Sequence, residues 1–365
     1  MKKRLTAILA AFVLTLTATP IFAAEVTTIT GTGDEYTQLT MPMGIAAGPD
    51  GDIFVADTFN NLIRVIDEVG GVTSLNHHTP LTDTWGFPIG GHMDRYLDTA
   101  MFNRPSGMAL GLHGWLFVAD SQNNAIRVII GDRAFTMAGG FGEGFDDGYR
   151  LEAKFNNPQA VAVGPGGAVY VADTGNHIIR RIDLRGNVTT VAGSAGQYGY
   201  ADGIADAALF DSPMGLVFGQ DGRLYIADTG NHVVRVLHDG LVSTYAGSLT
   251  VPQREGFGEW DTAPIGGFVD GLAEEAMFNR PIGLAQHEGI LFVADSGNHA
   301  IRAVVGQEVV TVAGSGQPGF VDGDLDLAEF HMPGGLFVHD GVIFVADTGN
   351  NAIRAIKLSA VLDIF

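Results

Sequence analysis

Short apolar runs, rich in β-branched residues and separated by turn-forming residues, recur along most of the chain. Around residues 160–200 four of them follow one another: QAVAVG, VYVAD, IIRRID and VTTVAG. Each run is too short for a typical helix and is bounded by Gly, Asp or Asn. Gly166-Gly167 separates the first two runs, and Asp-Gly pairs at Asp50, Asp221 and Asp340 take the same place elsewhere. Such pairs are typical of hairpin turns, so the pattern predicts a four-stranded antiparallel meander.

The second and third runs recur six times with nearly the same letters: IFVADTFNNLIR, LFVADSQNNAIR, VYVADTGNHIIR, LYIADTGNHVVR, LFVADSGNHAIR and IFVADTGNNAIR. The copies lie roughly 50 to 70 residues apart. A repeat of this length built from short strands is typical of the blades of a propeller. The sequence therefore predicts an all-β fold, a six-bladed β-propeller of four-stranded antiparallel blades.

The two ends of the chain predict how this ring closes. Residues 25–33 (EVTTITGTG) match the fourth-strand sequence VTTVAG, whereas the last unit stops after its third strand, near Leu358. We expect the N-terminal strand to complete the sixth blade, which removes an exposed sheet edge. The propeller then occupies residues 25–365 as one domain.

The first 24 residues predict a signal peptide. Lys2, Lys3 and Arg4 precede an apolar run that ends in small residues at Ala23 and Ala24. We therefore expect a secreted or otherwise extracytoplasmic protein, without direct insertion into a membrane. The chain has no cysteine, so no disulfide stabilises it, and its formal net charge of −21 disfavours nucleic acid as a partner.

The repeated segments VADTGNHIIR and VADSGNHAIR resemble the NHL repeat. The loop VTTVAGSAGQYGYADGIADAALFDSPMG is similar to the inter-blade segment of bacterial extracytoplasmic NHL-repeat propellers. The resemblance covers every blade and implies a six-bladed ring. Members of the NHL-repeat family include binding platforms, receptor sensor domains, an amidating lyase and RNA-binding modules, so the resemblance leaves the function open.

Polar residues shared by all six units are interpreted as structural, because a catalytic centre needs one asymmetric group of residues. These are the aspartates Asp57, Asp120, Asp173, Asp228, Asp295 and Asp347, and the arginines Arg64, Arg127, Arg180, Arg235, Arg302 and Arg354. The position after each shared Asn holds His in three units and Asn in three, which favours a turn-capping role over a metal site. The loop pairs Asp202-Gly203, Asp270-Gly271 and Asp322-Gly323 are predicted to form tight turns rather than calcium sites.

Two longer inter-blade segments, 76–93 and 248–266, break the repeat after blades one and four. They belong to opposite sides of a six-fold ring, on the face where the inner strands start. Their aromatic residues are Trp85, Phe87, Phe257 and Trp260, which suit stacking on sugars or anchoring of peptides. Alternatively, these loops pack on their own aromatic residues and only shield the ring. His77, His78 and His92 are weaker candidates for a metal.

The inner strands begin near Pro-x-Gly segments, or Pro-Gln-Ala in the third unit, that should line the channel mouth, with Met43, Ser106, Gln159, Met214 and Ile282 at the middle position. In the family's amidating lyase, histidines near such strand starts hold zinc. This sequence departs from that pattern, which argues against the same chemistry.

These observations favour a non-catalytic binding platform for a protein, peptide or glycan, without a cofactor or metal and as a monomer. The alternative is a metal-dependent propeller enzyme, a lyase or hydrolase, with its site at the central channel. A third reading is a ring that merely spaces other components. The sequence leaves catalytic activity undecided and favours its absence.

Overall fold

A computed structural model describes residues 25–30, 38–48, 51–67, 70–76, 81–249 and 265–365. Within these ranges six antiparallel sheets form the blades of a β-propeller. The innermost strand of each blade contacts the innermost strands of the two neighbouring blades, so these six strands form a closed ring. The prediction of a six-bladed propeller is confirmed.

The strands are numbered along the chain, and β1 (Val26–Thr30) belongs to the last blade. Blade 1 contains β2 (Pro42–Ala47), β3 (Ile53–Asp57), β4 (Leu62–Ile66) and β5 (Val72–Ser74). Blade 2 contains β6 (Pro105–Leu110), β7 (Leu116–Asp120), β8 (Ala125–Ile130) and β9 (Arg133–Gly139). Blade 3 contains β10 (Gly148–Tyr149), β11 (Ala160–Val163), β12 (Val169–Asp173), β13 (Ile178–Ile182) and β14 (Asn187–Ala192).

Blade 4 contains β15 (Gly203–Ile204), β16 (Pro213–Phe218), β17 (Leu224–Asp228), β18 (Val233–His238) and β19 (Leu241–Ala246). Blade 5 contains β20 (Gly271–Leu272), β21 (Pro281–His287), β22 (Ile290–Asp295), β23 (Ala300–Val305) and β24 (Glu308–Ala313). Blade 6 contains β25 (Leu336–His339), β26 (Val342–Asp347) and β27 (Ala352–Lys357), followed by the helix α1 (Leu358–Leu362).

Short 3-10 helices connect the second and third strands of the blades at Thr58–Asn60, Ser121–Asn123, Thr174–Asn176, Thr229–Asn231, Ser296–Asn298 and Thr348–Asn350. Others lie at Leu112–Gly114, Arg150–Glu152, Pro165–Gly167 and Ala205–Ala207.

The ring closes through the N-terminal strand, as predicted. β1 pairs antiparallel with β27, with Val26 opposite Ile356, and completes the sheet of blade 6. The Glu25 and Val26 amides both donate to the Gly323 carbonyl, and the Val26 side chain is fully buried. Backbone hydrogen bonds therefore join the two ends of the propeller.

The hydrophobic core lies between neighbouring blades rather than at one centre. Each of its six clusters combines apolar residues from successive blades; one joins Phe117 and Ile126 of blade 2 to Val171 and Ile182 of blade 3. Five phenylalanines at equivalent inter-blade positions are almost fully buried: Phe102, Phe155, Phe210, Phe278 and Phe330. Each blade is therefore stabilised mainly by its neighbours.

The inter-blade loops differ from the prediction. In blades 3, 4 and 5 a two-residue strand (β10, β15 or β20) pairs with the outer edge, so these blades have five strands rather than four. Gly203 and Gly271 begin two of these strands at φ values of 132° and 131°, a conformation that favours glycine. The prediction of tight turns at Asp202-Gly203 and Asp270-Gly271 was wrong, because the glycines allow the loop to pair with the sheet.

Candidate ligand-binding face

Each shared aspartate lies fully buried at the end of the second strand of its blade. In blade 3, one oxygen of Asp173 accepts a hydrogen bond from the Asn156 amide at 2.7 Å. The other oxygen accepts from Asn176 Nδ2 at 2.8 Å and from Arg180 at 3.0 Å. The same three kinds of donor surround Asp57, Asp120, Asp228, Asp295 and Asp347.

The buried position affects the protonation of these carboxyl groups. The pKa of Asp173, Asp228 and Asp295 is raised to about 6, because the effect of burial outweighs that of the hydrogen bonds and the adjacent arginine, which lower the pKa. A shifted carboxyl pKa often marks an active site, but here it recurs from blade to blade. Each carboxylate is also fully committed to donors within its own blade and the preceding loop. This geometry supports a structural role.

Five of the shared arginines also bind a second aspartate, which lies in the preceding inter-blade loop; the sequence indicated only a turn role for three of these, Asp202, Asp270 and Asp322. Arg235 binds Asp202 at 2.5 Å as well as Asp228 at 2.8 Å, and Asp202 also accepts a hydrogen bond from the Thr244 amide. Asp94, Asp147, Asp270 and Asp322 take the same place in their blades. Each of these aspartates stands 32 or 33 positions before its arginine, and this regular spacing in the sequence could have indicated the pairing.

Aromatic rings pack against the same guanidinium groups. The Arg235 guanidinium lies 4.6 Å from the ring centroid of Tyr200 and 5.2 Å from that of Phe210. Arg302 and Arg354 contact two rings each in the same way. The arginine is thus held by charge, by hydrogen bonds and by cation–π contacts at once.

The Asn or His that follows each 3-10 turn links its blade to the next one. Asn61 accepts a hydrogen bond from the Arg104 amide at 2.7 Å, and His177 Nδ1 accepts one from the Ser212 amide at 3.0 Å. The other acceptors are Asn124, His232, His299 and Asn351. All six have a left-handed backbone with φ between 50° and 59°. They cap backbone donors, and each connection crosses a blade boundary.

The inner-strand starts meet around a narrow constriction at the axis of the ring. Met43, Gln159, Met214 and Ile282 line it together with glycines, and its volume is about 70 Å³. None of the described residues that line it is charged. Ser106 does not take part: it is buried, and its hydroxyl hydrogen-bonds the Ser121 hydroxyl at 2.7 Å and the Gln159 carbonyl at 2.9 Å. The structure thus brings together four of the five channel residues.

The first long insertion forms an ordered hairpin on the same face. Asp83 Oδ1 accepts hydrogen bonds from the Trp85 amide at 2.8 Å and the Phe87 amide at 3.0 Å, and the Asp83 amide donates to the Phe87 carbonyl. Trp85 lies at the tip of this turn and is 84% exposed. The hairpin therefore presents an indole ring to solvent on a fixed backbone.

The rest of this hairpin packs on the ring. The Phe87 ring contacts Phe59 edge to face at 5.2 Å, and the Arg104 guanidinium lies 4.0 Å from the Phe59 ring centroid. These residues and Asp83 border a cavity of about 200 Å³. Phe87 is thus half-buried against Phe59, whereas Trp85 remains exposed. The predicted residues Phe257 and Trp260, and also His77 and His78, lie outside the described residues.

His92 makes a hydrogen bond with the Thr136 hydroxyl at 2.7 Å. Within the described ranges, no three His, Asp or Glu side chains are grouped so that they could hold a metal ion. No helix in the part of the chain that the structure describes is long and apolar enough to cross a membrane.

Comparison with known proteins agrees with this geometry. The NHL repeat family model matches residues 155–182 and 210–237. The chain is 33% identical over 284 residues to Protein SUPPRESSOR OF QUENCHING 1, chloroplastic, of Arabidopsis thaliana, a match that covers 74% of this chain and 26% of that protein. It is 30% identical over 325 residues to NHL repeat-containing protein 2 of Gallus gallus, covering 67% of this chain and 45% of that protein. The chain therefore spans less than half the length of these relatives.

Two solved structures share the fold at low sequence identity. An auxiliary nutrient binding protein from Bacteroides thetaiotaomicron has a TM-score of 0.63 and 16% identity, covering 91% of this chain and 75% of that one. Virginiamycin B lyase from Staphylococcus aureus has a TM-score of 0.52 and 16% identity, covering 87% of this chain and 95% of that one. At this identity the similarity shows the fold alone. The family model, the relatives and the six closed blades together show that this chain is an NHL-repeat β-propeller.

Proposed function

We propose that this propeller is an extracytoplasmic, non-catalytic platform that binds a protein, peptide or glycan on the face carrying the inter-blade insertions. The observation that carries the proposal is the Trp85 hairpin. Trp85 is 84% exposed, and Asp83 holds the backbone that presents it. Aromatic side chains on rigid loops are frequent anchors in binding sites.

The surroundings of Trp85 support recognition rather than shielding. Phe87 and Phe59 already form the packing contact that anchors the hairpin, so the ring does not need Trp85 for its own core. Arg104 and Asp83 flank the neighbouring cavity and supply one group of each charge. An aromatic anchor beside polar groups is the arrangement by which proteins bind peptides and sugars.

The central channel gives little support to chemistry at the axis. General acid–base catalysis needs a titratable side chain within reach of the substrate, and the described lining consists of Met, Gln, Ile and other uncharged residues. The nutrient-binding protein of similar fold is consistent with a binding role, although its similarity extends only to the fold. The basic and apolar N-terminal sequence supports the proposed location outside the cytoplasm.

The proposal is tested by probing glycan and peptide arrays with the labelled full chain and two variants. Trp85→Ala removes the anchor, and Leu184→Ala is the matched control, because Leu184 is 78% exposed in the turn between β13 and β14 on the opposite face. We expect Trp85→Ala to weaken the wild-type array signals by about tenfold or more, and Leu184→Ala to leave them unchanged. Equal binding by the Trp85→Ala variant, or no binding by the wild type, would contradict the proposal.

A further inference from the structure

A cavity among the described residues lies at the junction of blades 4 and 5, where the second insertion begins, and Ser248 and Leu249 of that insertion are part of its lining. It is about 410 Å³ in volume and lies between the outer strand of blade 4 (β19) and the loop that carries β20 at the edge of blade 5. This volume is in the lower part of the range of small-molecule sites. Among its lining residues are Tyr200, Thr244, Tyr245, Glu274 and Gln307.

One residue makes this blade junction different from its equivalents. Tyr245 follows Thr244, which pairs with Arg235 in the sheet. At the same register, blade 3 has Val191 after Thr190, and blade 5 has Val312 after Thr311. Tyr245 packs on the core of blades 4 and 5 and at the same time borders the cavity, so this junction presents an aromatic ring where blades 3 and 5 present valine.

The two tyrosines of the cavity are held in place. The Tyr245 ring contacts Tyr225 edge to face at 4.7 Å. The Tyr200 hydroxyl hydrogen-bonds the Thr244 hydroxyl, and its ring packs against the Arg235 guanidinium at 4.6 Å. Both rings are half-buried. A ligand that contacts them therefore meets surfaces that lose little conformational freedom on binding.

The polar groups of the lining indicate the class of ligand. Glu274 and Gln307 are exposed at the edge of the cavity and supply hydrogen-bond acceptors and an amide donor. Among the lining residues that the structure describes, Glu274 is the one with a charged side chain. Since the chain is also strongly acidic overall, an anionic ligand is disfavoured. Aromatic rings combined with a carboxylate and an amide suit the apolar faces and hydroxyl groups of a neutral sugar.

We propose that the junction of blades 4 and 5 is a second, lateral binding site for a neutral mono- or disaccharide. The sugar packs against Tyr245 and Tyr200 and donates hydroxyl hydrogen bonds to the Glu274 carboxylate and the Gln307 side chain. This site is separate from the Trp85 hairpin, which belongs to the loop between blades 1 and 2. The lateral site borders the start of the second insertion but includes no residue of the Trp85 hairpin, so the two sites are tested separately.

Saturation-transfer NMR tests the site with the full chain and a panel of probes: glucose, galactose, mannose, N-acetylglucosamine and disaccharides of each. Tyr245→Val installs the residue of blades 3 and 5 but removes the edge-to-face contact with Tyr225, so a lower thermal midpoint is expected and sugar binding is compared below the unfolding temperature of each variant. We expect at least one sugar to receive saturation from the wild type, and Tyr245→Val and Glu274→Gln each to raise its Kd by about tenfold. Trp85→Ala should leave this signal intact.

Three results would overturn the inference. The first is that no sugar of the panel receives saturation from the wild-type chain. The second is a sugar signal that persists in both Tyr245→Val and Glu274→Gln, or one that Trp85→Ala alone abolishes, which would place sugar binding at the Trp85 hairpin. The third is a signal from lysine or arginine amide, added as cationic probes, with none from the sugars, because the ligand would then be a cation held by the acidic field.

Discussion

Removing one buried aspartate should show how strongly the repeated network supports the ring. Asp173→Ala leaves three donors without their acceptor: the Asn156 amide, Asn176 Nδ2 and the fully buried Arg180. Losing one partner of a buried ion pair typically costs about 3–5 kcal/mol. Arg180 keeps its 2.8 Å contact with Asp147, so the lower end of that range, about 3 kcal/mol, applies.

A loss of this size is a large part of the free energy of unfolding of a typical domain, which is about 5–15 kcal/mol. It should lower the thermal midpoint by roughly 5 °C and shift the urea midpoint in the same direction. Urea titration followed by tryptophan fluorescence and circular dichroism measures the change. The matched control is Asp206→Ala, which removes an exposed carboxylate from a neighbouring loop and should cost less than about 0.5 kcal/mol. Equal midpoints for the two variants would refute the structural role of the network.

Three further predictions concern closure and the links between blades. Deletion of residues 25–33 removes β1 and the Thr28 contacts with Asp322. The deletion should open the ring and lower the thermal midpoint by several degrees. An unchanged midpoint would show that β1 is dispensable. His177→Asn should keep most of the stability, because Asn already caps the next blade at three junctions, whereas His177→Ala should lose about 1 kcal/mol. Burial and the Arg280 charge lower the pKa of His232, and burial and His331 lower that of His299, so the folded state binds these protons less readily than the unfolded state. The contribution of these neutral histidines to the free energy of unfolding is complete above the ordinary pKa of 6.5 and is lost as the pH falls below it. The double variant His232→Asn, His299→Asn should therefore gain stability relative to the wild type in acid. Parallel curves of stability against pH for the two proteins would contradict this.

The repeats made the ring predictable from the sequence. Because the second and third strands carry nearly the same letters six times, their place in each blade was clear, and the match of residues 25–33 to VTTVAG identified the closing strand. The turn-capping interpretation of Asn61 and His177 also agrees with their left-handed backbone. Such information is local, and it repeats.

The remaining features depend on contacts between segments far apart in the chain. Asp202 looked like part of a tight turn, because nothing near it in the sequence shows that Arg235 lies against it. Ser106 occupies the middle position of an inner-strand start, yet its hydroxyl finds buried partners in Ser121 and in the next blade. The distinction between packed Phe87 and exposed Trp85 arises from the Phe59 ring, which belongs to another part of the blade.

The central claim is that repeated residues maintain the ring while the asymmetric insertion face recognises the ligand. Its most direct test is to measure both Kd and the thermal midpoint of two variants, with the strongest ligand from the arrays and below the unfolding temperature of each. The account predicts that Trp85→Ala raises Kd about tenfold or more at an unchanged midpoint, and that Asp173→Ala lowers the midpoint at an unchanged Kd. The reverse pattern, with normal binding by Trp85→Ala and lost binding by a stable Asp173→Ala variant, would contradict it.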